Sequence, residues 1–417
     1  MGYPGEVLGR RPRSWIALAL VLAWPAQAFA AIPSGQTTVP QQQGALLALG
    51  SIYRVETTVS LSGLRITGGR FYPLGKIHEV TELGTAFAVA PTGVLVTEAH
   101  VASPFGTALA DTAAPLALAQ TGKFGSDQAA YDNWVEQNNA LPVGVRIIKT
   151  QVWRATASGV AHPRALAAQI IRESVNTTQD LALIQLADHR IPALELDESE
   201  TTGTPVAVLG YGVSATTIGL PTTTVPGINY GSLADTAVVR GETGALKAVN
   251  GQTLVQVDAA ITRGDSGGPA VDSGGSVHGI VRFLDNGTSG LMDSSSEIVQ
   301  LLKSVGISNP PQGSIWTSFQ TGMQDLWSNN LTAAQTNLAD TVKADPTHPL
   351  AVRELKLVTK DLAAPARPAA THRLRLLFFL LASIALFAAV LCVVRLRRIR
   401  RTNGGSTGST PQLPTAH

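Results

Sequence analysis

The sequence predicts an all-β domain followed by a small α-helical segment and one apolar span. Three patterns carry this reading. From Ser51 to Phe283, short runs of alternating or β-branched residues are separated by Gly-, Pro- and Thr-rich turns. From Ser314 to Leu362, apolar residues recur at helical spacing: Phe319, Met323, Leu326 and Trp327, then Leu331, Ala334, Leu338 and Val342, then Leu350, Val352, Leu355 and Leu357. Leu376 to Val394 is apolar throughout, with only Ser383 and Cys392 mildly polar. At helical rise that run measures roughly 28 Å, close to the hydrocarbon thickness of a bilayer.

Composition narrows the possibilities. A chain of 417 residues has room for two domains and appendages. Net charge is +2 and the basic clusters sit at the two ends, so nucleic acid is not an expected partner. Cys392 is the single cysteine, so no intrachain disulfide can form and stability must come from buried core.

Residues 1–30 read as a secretory signal peptide. Arg10, Arg11 and Arg13 precede the apolar run Trp15–Trp24, Pro25 breaks it, and Ala26-Gln27-Ala28-Phe29-Ala30 offers small-residue cleavage sites. Residues 31–48, rich in Gln and Thr, are expected to be a flexible linker.

In the β region, Gly84–Ala90 alternates large and small, Pro91-Thr92-Gly93 is a turn, and Val94–Thr97 is a buried strand. That hairpin delivers Glu98-Ala99-His100. An imidazole titrates near neutrality, so His100 is a candidate general base. The other histidines lack such a setting, and none shows metal-ligand spacing; no metal or cofactor is expected. Residues 101–170 form a long interval, read as an inserted helical excursion in which Tyr131, Trp134 and Val135 share one face. Asp180 then opens a strand alternating Leu181, Leu183 and Gln185 against Ala182, Ile184 and Leu186. Asp111, Asp132 and Asp258 precede no comparable strand.

The stretch with the most defined chemistry is Arg263-Gly264-Asp265-Ser266-Gly267-Gly268-Pro269. A serine is a weak nucleophile until a neighbouring base activates it. An oxyanion formed there needs backbone N–H donors, and glycine turns them where other residues resist.

This stretch resembles the nucleophile loop of the trypsin/chymotrypsin-like serine peptidases. Thr97–His100 matches the T-x-A-H pattern around their base, and Asp180–Ile184 resembles the segment that supplies their carboxylate. Asp258-Ala259-Ala260-Ile261 is most similar to the bacterial HtrA/Deg-type branch, although residues 306–417 offer no segment with the length and strand content of a PDZ domain. The chain order His100, Asp180, Ser266 agrees with this superfamily and not with subtilisins or α/β-hydrolases.

The resemblance covers 50–305. It implies a chymotrypsin-like fold of two antiparallel six-stranded β-barrels in a protease domain at 49–310, acting on protein or peptide substrates. His100, Asp180 and Ser266 would be the triad, with the Gly264 and Ser266 N–H groups as the oxyanion hole. Ala260 and Val281 would line the substrate pocket. Ala260 stands where trypsins carry the acid that receives Lys or Arg, so a preference for small or aliphatic residues is expected. The rival expectation is a catalytically weak or inactive protease-fold sensor or binding protein at the cell surface.

The helical spacer at 314–362 has features spaced like one tetratricopeptide-type repeat, and is expected either to pack on the protease or to recruit a protein partner. A linker at 363–375 leads to a transmembrane helix at 376–394. Arg395, Arg397, Arg398, Arg400 and Arg401 outweigh Arg373 and Arg375, which places the tail 395–417 in the cytoplasm and the protease outside.

Overall fold

The computed structural model describes residues 40–363 except 105–113, 126, 155–164, 175–178, 188–189, 200, 213–235, 250–251, 283–289 and 310–312. The expected signal peptide, apolar span and cytoplasmic tail lie outside the described residues. Among the described residues, no helix is long and apolar enough to cross a membrane.

The chain opens with α1 (Pro40–Ala48) and a 3-10 turn, Leu49–Ser51. There follow β1 (Ile52–Arg65), β2 (Phe71–Ala90), β3 (Val94–Thr97) and α2 (Ala99–Ala102). Residues 114–120 are helical. Next come α3 (Gln128–Asn138), β4 (Leu141–Val143), β5 (Arg146–Arg154), β6 (Ala168–Glu173) and β7 (Ala182–Leu186). The second half holds β8 (Pro205–Gly210), β9 (Ala237–Val249), β10 (Gln252–Val257), β11 (Pro269–Val271), β12 (Val277–Arg282) and β13 (Gly290–Ser294). Four helices end it: α4 (Ser295–Ser304), α5 (Ser314–Trp327), α6 (Leu331–Ala344) and α7 (Pro349–Ala363).

The second set of strands closes a six-stranded barrel in the order β10-β13-β12-β11-β8-β9. The first set departs from the expected six-stranded barrel. It is a seven-stranded sheet, β4-β1-β2-β3-β7-β6, with β5 also paired to β1. Among the described residues an isolated antiparallel bridge, Val152 to Leu166, brings the approach to β6 against β5, so the sheet curls toward itself with no full closing ladder among them. The extra strand β4 pairs with the far end of β1, which the unusually long β1–β2 hairpin carries beyond the curl.

Strand alternation explains how the layers bury. Leu181 and Leu183 face the largest core, while Ala182, Ile184 and Leu186 face the interior of the first sheet. Likewise Ala207 and Leu209 face the large core, whereas Val206 and Val208 fill the second barrel. Both faces are covered, so these strands read as nearly continuous apolar runs. The inserted helix α3 puts Tyr131 and Val135 onto Val59, Leu61, Leu64, Leu74 and Val80 of the long hairpin. Asp127 caps its start by accepting from the Ala130 N–H at 3.1 Å, and Asn139 ends it with a left-handed φ of 42°.

The large core also contains segments expected to be peripheral. Residues 40–48 are a helix rather than a flexible linker, and Ala45 to Ala48 are almost fully buried. Pro40 pre-sets the first helical φ, and Gln, Ala and Leu favour the rest. Gly44 costs helix stability of about 1 kcal/mol, but a Cβ there would sit 1.7 Å from the Asp272 carbonyl oxygen. Close approach to the β11–β12 hairpin therefore dictates glycine. The C-terminal helices bury Trp316, Phe319, Met323, Leu326, Leu338 and Leu350 in the same core. Burying Phe319 alone contributes about 1.5–3 kcal/mol. Most of the apolar positions expected to meet a partner are thus occupied within the chain, while Val352 stays exposed.

Polar contacts fasten these helices to the first sheet. Arg154 at the end of β5 donates to the Gly50 carbonyl at 2.7 Å and to Asp345 at 2.9 Å. Beside it His348 is fully buried, with its Nδ1 accepting the Ala351 N–H at 3.2 Å. Burial first, and the Arg154 charge second, push its pKa from 6.5 down to about 3. The unfolded chain therefore takes up this proton first as pH falls. The stability His348 contributes is present above pH 6.5 and lost as pH falls from there toward 3. We expect a loss on the order of 2–3 kcal/mol by pH 4.5. Denaturant titrations of wild type and His348→Gln between pH 7 and 4.5 check this; equal pH slopes would refute it.

Candidate active site

His100 and Asp180, the expected base and its carboxylate, meet at the end of the β3 hairpin. Glu98 precedes the single turn α2, and His100 is its second residue. Asp180 closes against that turn twice through its side chain. Its Oδ1 accepts the His100 backbone N–H at 2.9 Å and its Oδ2 faces His100 Nδ1 at 2.7 Å. The Asp180 carbonyl also accepts the Ala99 N–H at 3.0 Å. Pairing of β3 with β7, Thr97 opposite Ala182, sets this approach.

The serine loop docks on β2, the strand next to β3. Thr85 of β2 donates its N–H to the Ser266 carbonyl at 2.9 Å and its hydroxyl to the Gly264 carbonyl at 2.7 Å. The same hydroxyl accepts the Tyr211 N–H at 2.9 Å, joining the end of β8 to the clamp. Thr97 donates to the Thr85 carbonyl at 2.6 Å. Gly267, with φ +85°, has no room for a side chain: a Cβ would lie 2.0 Å from the Thr85 oxygen and 3.2 Å from the Glu98 nitrogen. Ser266 is thus held against the residues that lead directly into His100.

The loop's own shape is defined. Asp265 N–H donates to the Thr262 carbonyl at 3.0 Å, and of the two central residues Gly264 alone has a positive φ, +94°. That combination is a type II turn, in which the central peptide is flipped relative to type I. The Asp265 side chain is buried, and its Oδ2 accepts from Thr262 N–H at 2.8 Å and Thr262 Oγ1 at 3.0 Å. Burial raises its pKa, against the pull of those Thr262 donors and the Gly212 backbone. One oxygen of the acid beside Ser266 is therefore met from within its own loop.

Charge around His100 is dense. Burial pulls its pKa down, but the Asp180 hydrogen bond and charge, aided by Glu82, more than reverse this, so the net shift is upward. Burial raises Asp180, and its bonds and charge pairing with His100 outweigh that and lower it. Glu98 behaves oppositely. It is fully buried, neither carboxyl oxygen has a hydrogen bond, and His100 Nδ1 stands 3.3 Å away. Burial and the neighbouring Asp180 push its pKa well above 4.5, despite Arg282. Burial likewise raises Glu82 to about 7, with His100 and Arg263 opposing. Arg282 reaches Asp293 at 2.9 Å and Glu98 at 3.7 Å, and with Asp180 nearby this places one cation among three acids.

Residues 84–280 match the family model for the trypsin-like peptidase domain. This stretch is a trypsin-like peptidase domain. The match contains His100, Asp180 and Ser266 and stops before β13 and the C-terminal helices. Among solved structures, the active form of the Rv3671c protease from M. tuberculosis is similar at 17% identity, over 73% of this chain and 96% of that one, with a TM-score of 0.38. The HtrA-type protease AlgW with a bound decapeptide is similar at 17% identity, over 64% and 67%, with a TM-score of 0.42. No curated protein matches the sequence.

Within the trypsin-like domain, the two expected pocket residues separate. Ala260 is exposed just ahead of the serine loop. Val281 is fully buried among Val206, Val208, Val257 and Met292. Its backbone holds the loop, donating to Gly268 O at 2.8 Å and accepting from Gly267 N at 2.9 Å. Strand alternation turns its side chain inward, so it does not line a surface open to substrate. Sequence reading also missed Thr85, Glu98, Thr262 and Arg282. Thr85 sits in the Gly84–Ala90 run, but nothing local tells that its hydroxyl bonds a loop in the other barrel.

Proposed function

We propose that this chain is a membrane-anchored, extracytoplasmic serine endopeptidase. The observation that carries this is the His100–Asp180 pair, 2.7 Å apart, at the end of β3, beside the strand β2 to which the Ser266 loop is clamped. In this reading Ser266 Oγ attacks a peptide carbonyl and His100 Nε2 takes its proton. Asp180 fixes the tautomer and stabilises the imidazolium. The Gly264 and Ser266 N–H groups receive the oxyanion, and the type II turn at Gly264 supports that orientation. His100 then returns the proton to the leaving amine, and water resolves the acyl-enzyme.

The absence of an acid at Ala260 favours small or aliphatic residues before the cleaved bond. The leader at 1–30 and the apolar span at 376–394 with its trailing arginines support an outward-facing anchored enzyme. A peptide-library digest with the full-length protein tests the reading. Cleavage after small or aliphatic residues, absent in Ser266→Ala, is expected. A profile dominated by Lys or Arg would overturn the pocket assignment, and cleavage that persists in Ser266→Ala would overturn the nucleophile.

A further inference from the structure

A second group of side chains lies away from the triad, where the connector between the barrels meets the hairpin that follows the serine loop. Leu196 bridges Val277 in parallel, with Asp197 N–H bonding the Val277 carbonyl at 2.8 Å. This puts Asp197 beside Asp272, at the end of β11, and His278, the second residue of β12. His278 has 5% of its side chain exposed, and neither ring nitrogen completes a hydrogen bond. Its Nε2 points between two carboxylate oxygens, Asp272 Oδ2 at 3.6 Å and Asp197 Oδ2 at 3.7 Å.

Each carboxylate is already held by its other oxygen. Asp197 Oδ1 accepts the Ser199 N–H at 2.8 Å. Asp272 Oδ1 accepts the N–H groups of Gly274 at 2.8 Å and Ser276 at 2.9 Å. Outer hydrogen bonds of this kind orient metal-ligating groups. The two distances from Nε2 are long for hydrogen bonds, and the three inner atoms all lie within 4.8 Å of one another, a spacing one shared ion could draw in. Tetrahedral zinc with bonds of about 2.0–2.1 Å sets its ligand atoms about 3.3–3.4 Å apart.

We propose that Asp197, Asp272 and His278 form a binding site for a divalent transition-metal cation of the zinc type. One imidazole with two carboxylates suits zinc better than calcium or magnesium, which take oxygen ligands. The ion would gain Nε2 of a buried histidine that faces its two carboxylates only at long range. It would also tie the inter-barrel connector to the hairpin carrying the serine loop, and so stabilise the folded state by mass action.

Full-length, tag-free protein freed of metal with a chelator is titrated calorimetrically with zinc chloride, and then with calcium chloride. The variants are Asp197→Asn, at a half-exposed position that leaves the core untouched, and His278→Gln. His100→Ala serves as a control, because Glu98, His100 and Asp180 are the other group close enough to share an ion. One zinc per chain is expected, with no calcium heat at that site. Asp197→Asn and His278→Gln should weaken zinc binding by at least about 100-fold, since loss of even an outer partner costs roughly 10–100-fold. His100→Ala should leave it within threefold. No zinc binding by wild type, or binding that survives Asp197→Asn and is lost in His100→Ala, would overturn the proposal.

Discussion

Asp180→Asn is expected to lower kcat by about 10⁴-fold, while Glu98→Gln stays within about threefold of wild type at neutral pH. Both replace a carboxyl beside His100 with an amide of the same shape, so the contrast isolates charge. Asp180 accepts two N–H groups from His100, and its pKa is held below the ordinary aspartate value by that pairing. An amide there can present N–H₂ to Nδ1 and stabilise the wrong tautomer, leaving Nε2 unable to act as base. Glu98 accepts nothing, is fully buried, and is pushed well above 4.5 by burial and by Asp180. Burial therefore favours its neutral form, and a glutamine imitates that form.

The pH profile adds a sign. The acid limb of kcat/KM follows loss of the His100 proton, and Asp180 with Glu82 raises that pKa above 6.5. In Asp180→Asn the residual activity should show its acid limb at lower pH. A Glu98→Gln enzyme that falls as far as Asp180→Asn would reverse the assignment, making Glu98 the ionised partner.

Gly267→Ala is expected to cost roughly 3 kcal/mol of stability and about 10²-fold in kcat/KM. Gly267 has φ +85°, where an L side chain adds about 1–2 kcal/mol of backbone strain. Its Cβ would also fall 2.0 Å from the Thr85 oxygen and 2.4 Å from Thr97 Oγ1. Both groups belong to fully buried residues of the clamp between the sheets. Overpacking of that kind costs about 1–3 kcal/mol more. Relief requires the serine loop to move off β2 and β3, which displaces Ser266 from the strand end that carries His100. Urea denaturation and steady-state kinetics on the same preparation check both effects. Wild-type stability with wild-type turnover would contradict the docking geometry.

The parts of this site that were legible in the sequence are those whose chemistry is local. Gly264–Pro269 is a continuous pattern, Thr97–His100 follows a hairpin, and Asp180 opens an alternating strand. What escaped depends on contacts between distant segments. Thr85 of the first sheet bonds Gly264 of the loop in the second barrel, Arg282 sits among Glu98, Asp180 and Asp293, and Thr262 holds one oxygen of Asp265 through a turn no pattern names. Val281 was assigned to the pocket on position alone, whereas its inward direction depends on the register with β11 and β13. Residues 40–48 looked like linker because one turn of Gln and a central Gly hide the helix, and only the neighbouring Asp272 backbone explains that glycine. The first sheet gains its seventh strand because β1 and β2 run far past the curl, and strand length is poorly marked where Thr and Ser alternate with Val and Leu.

The claim that Ser266 is made nucleophilic by His100 is tested most directly by its covalent chemistry. Full-length protein treated with a fluorophosphonate probe at neutral pH is digested and its adducts mapped by mass spectrometry. A single adduct on Ser266, formed in wild type and missing in both Ser266→Ala and His100→Ala, is the expected result. An unlabelled Ser266 in folded wild-type protein, or labelling that proceeds at the wild-type rate in His100→Ala, would contradict it.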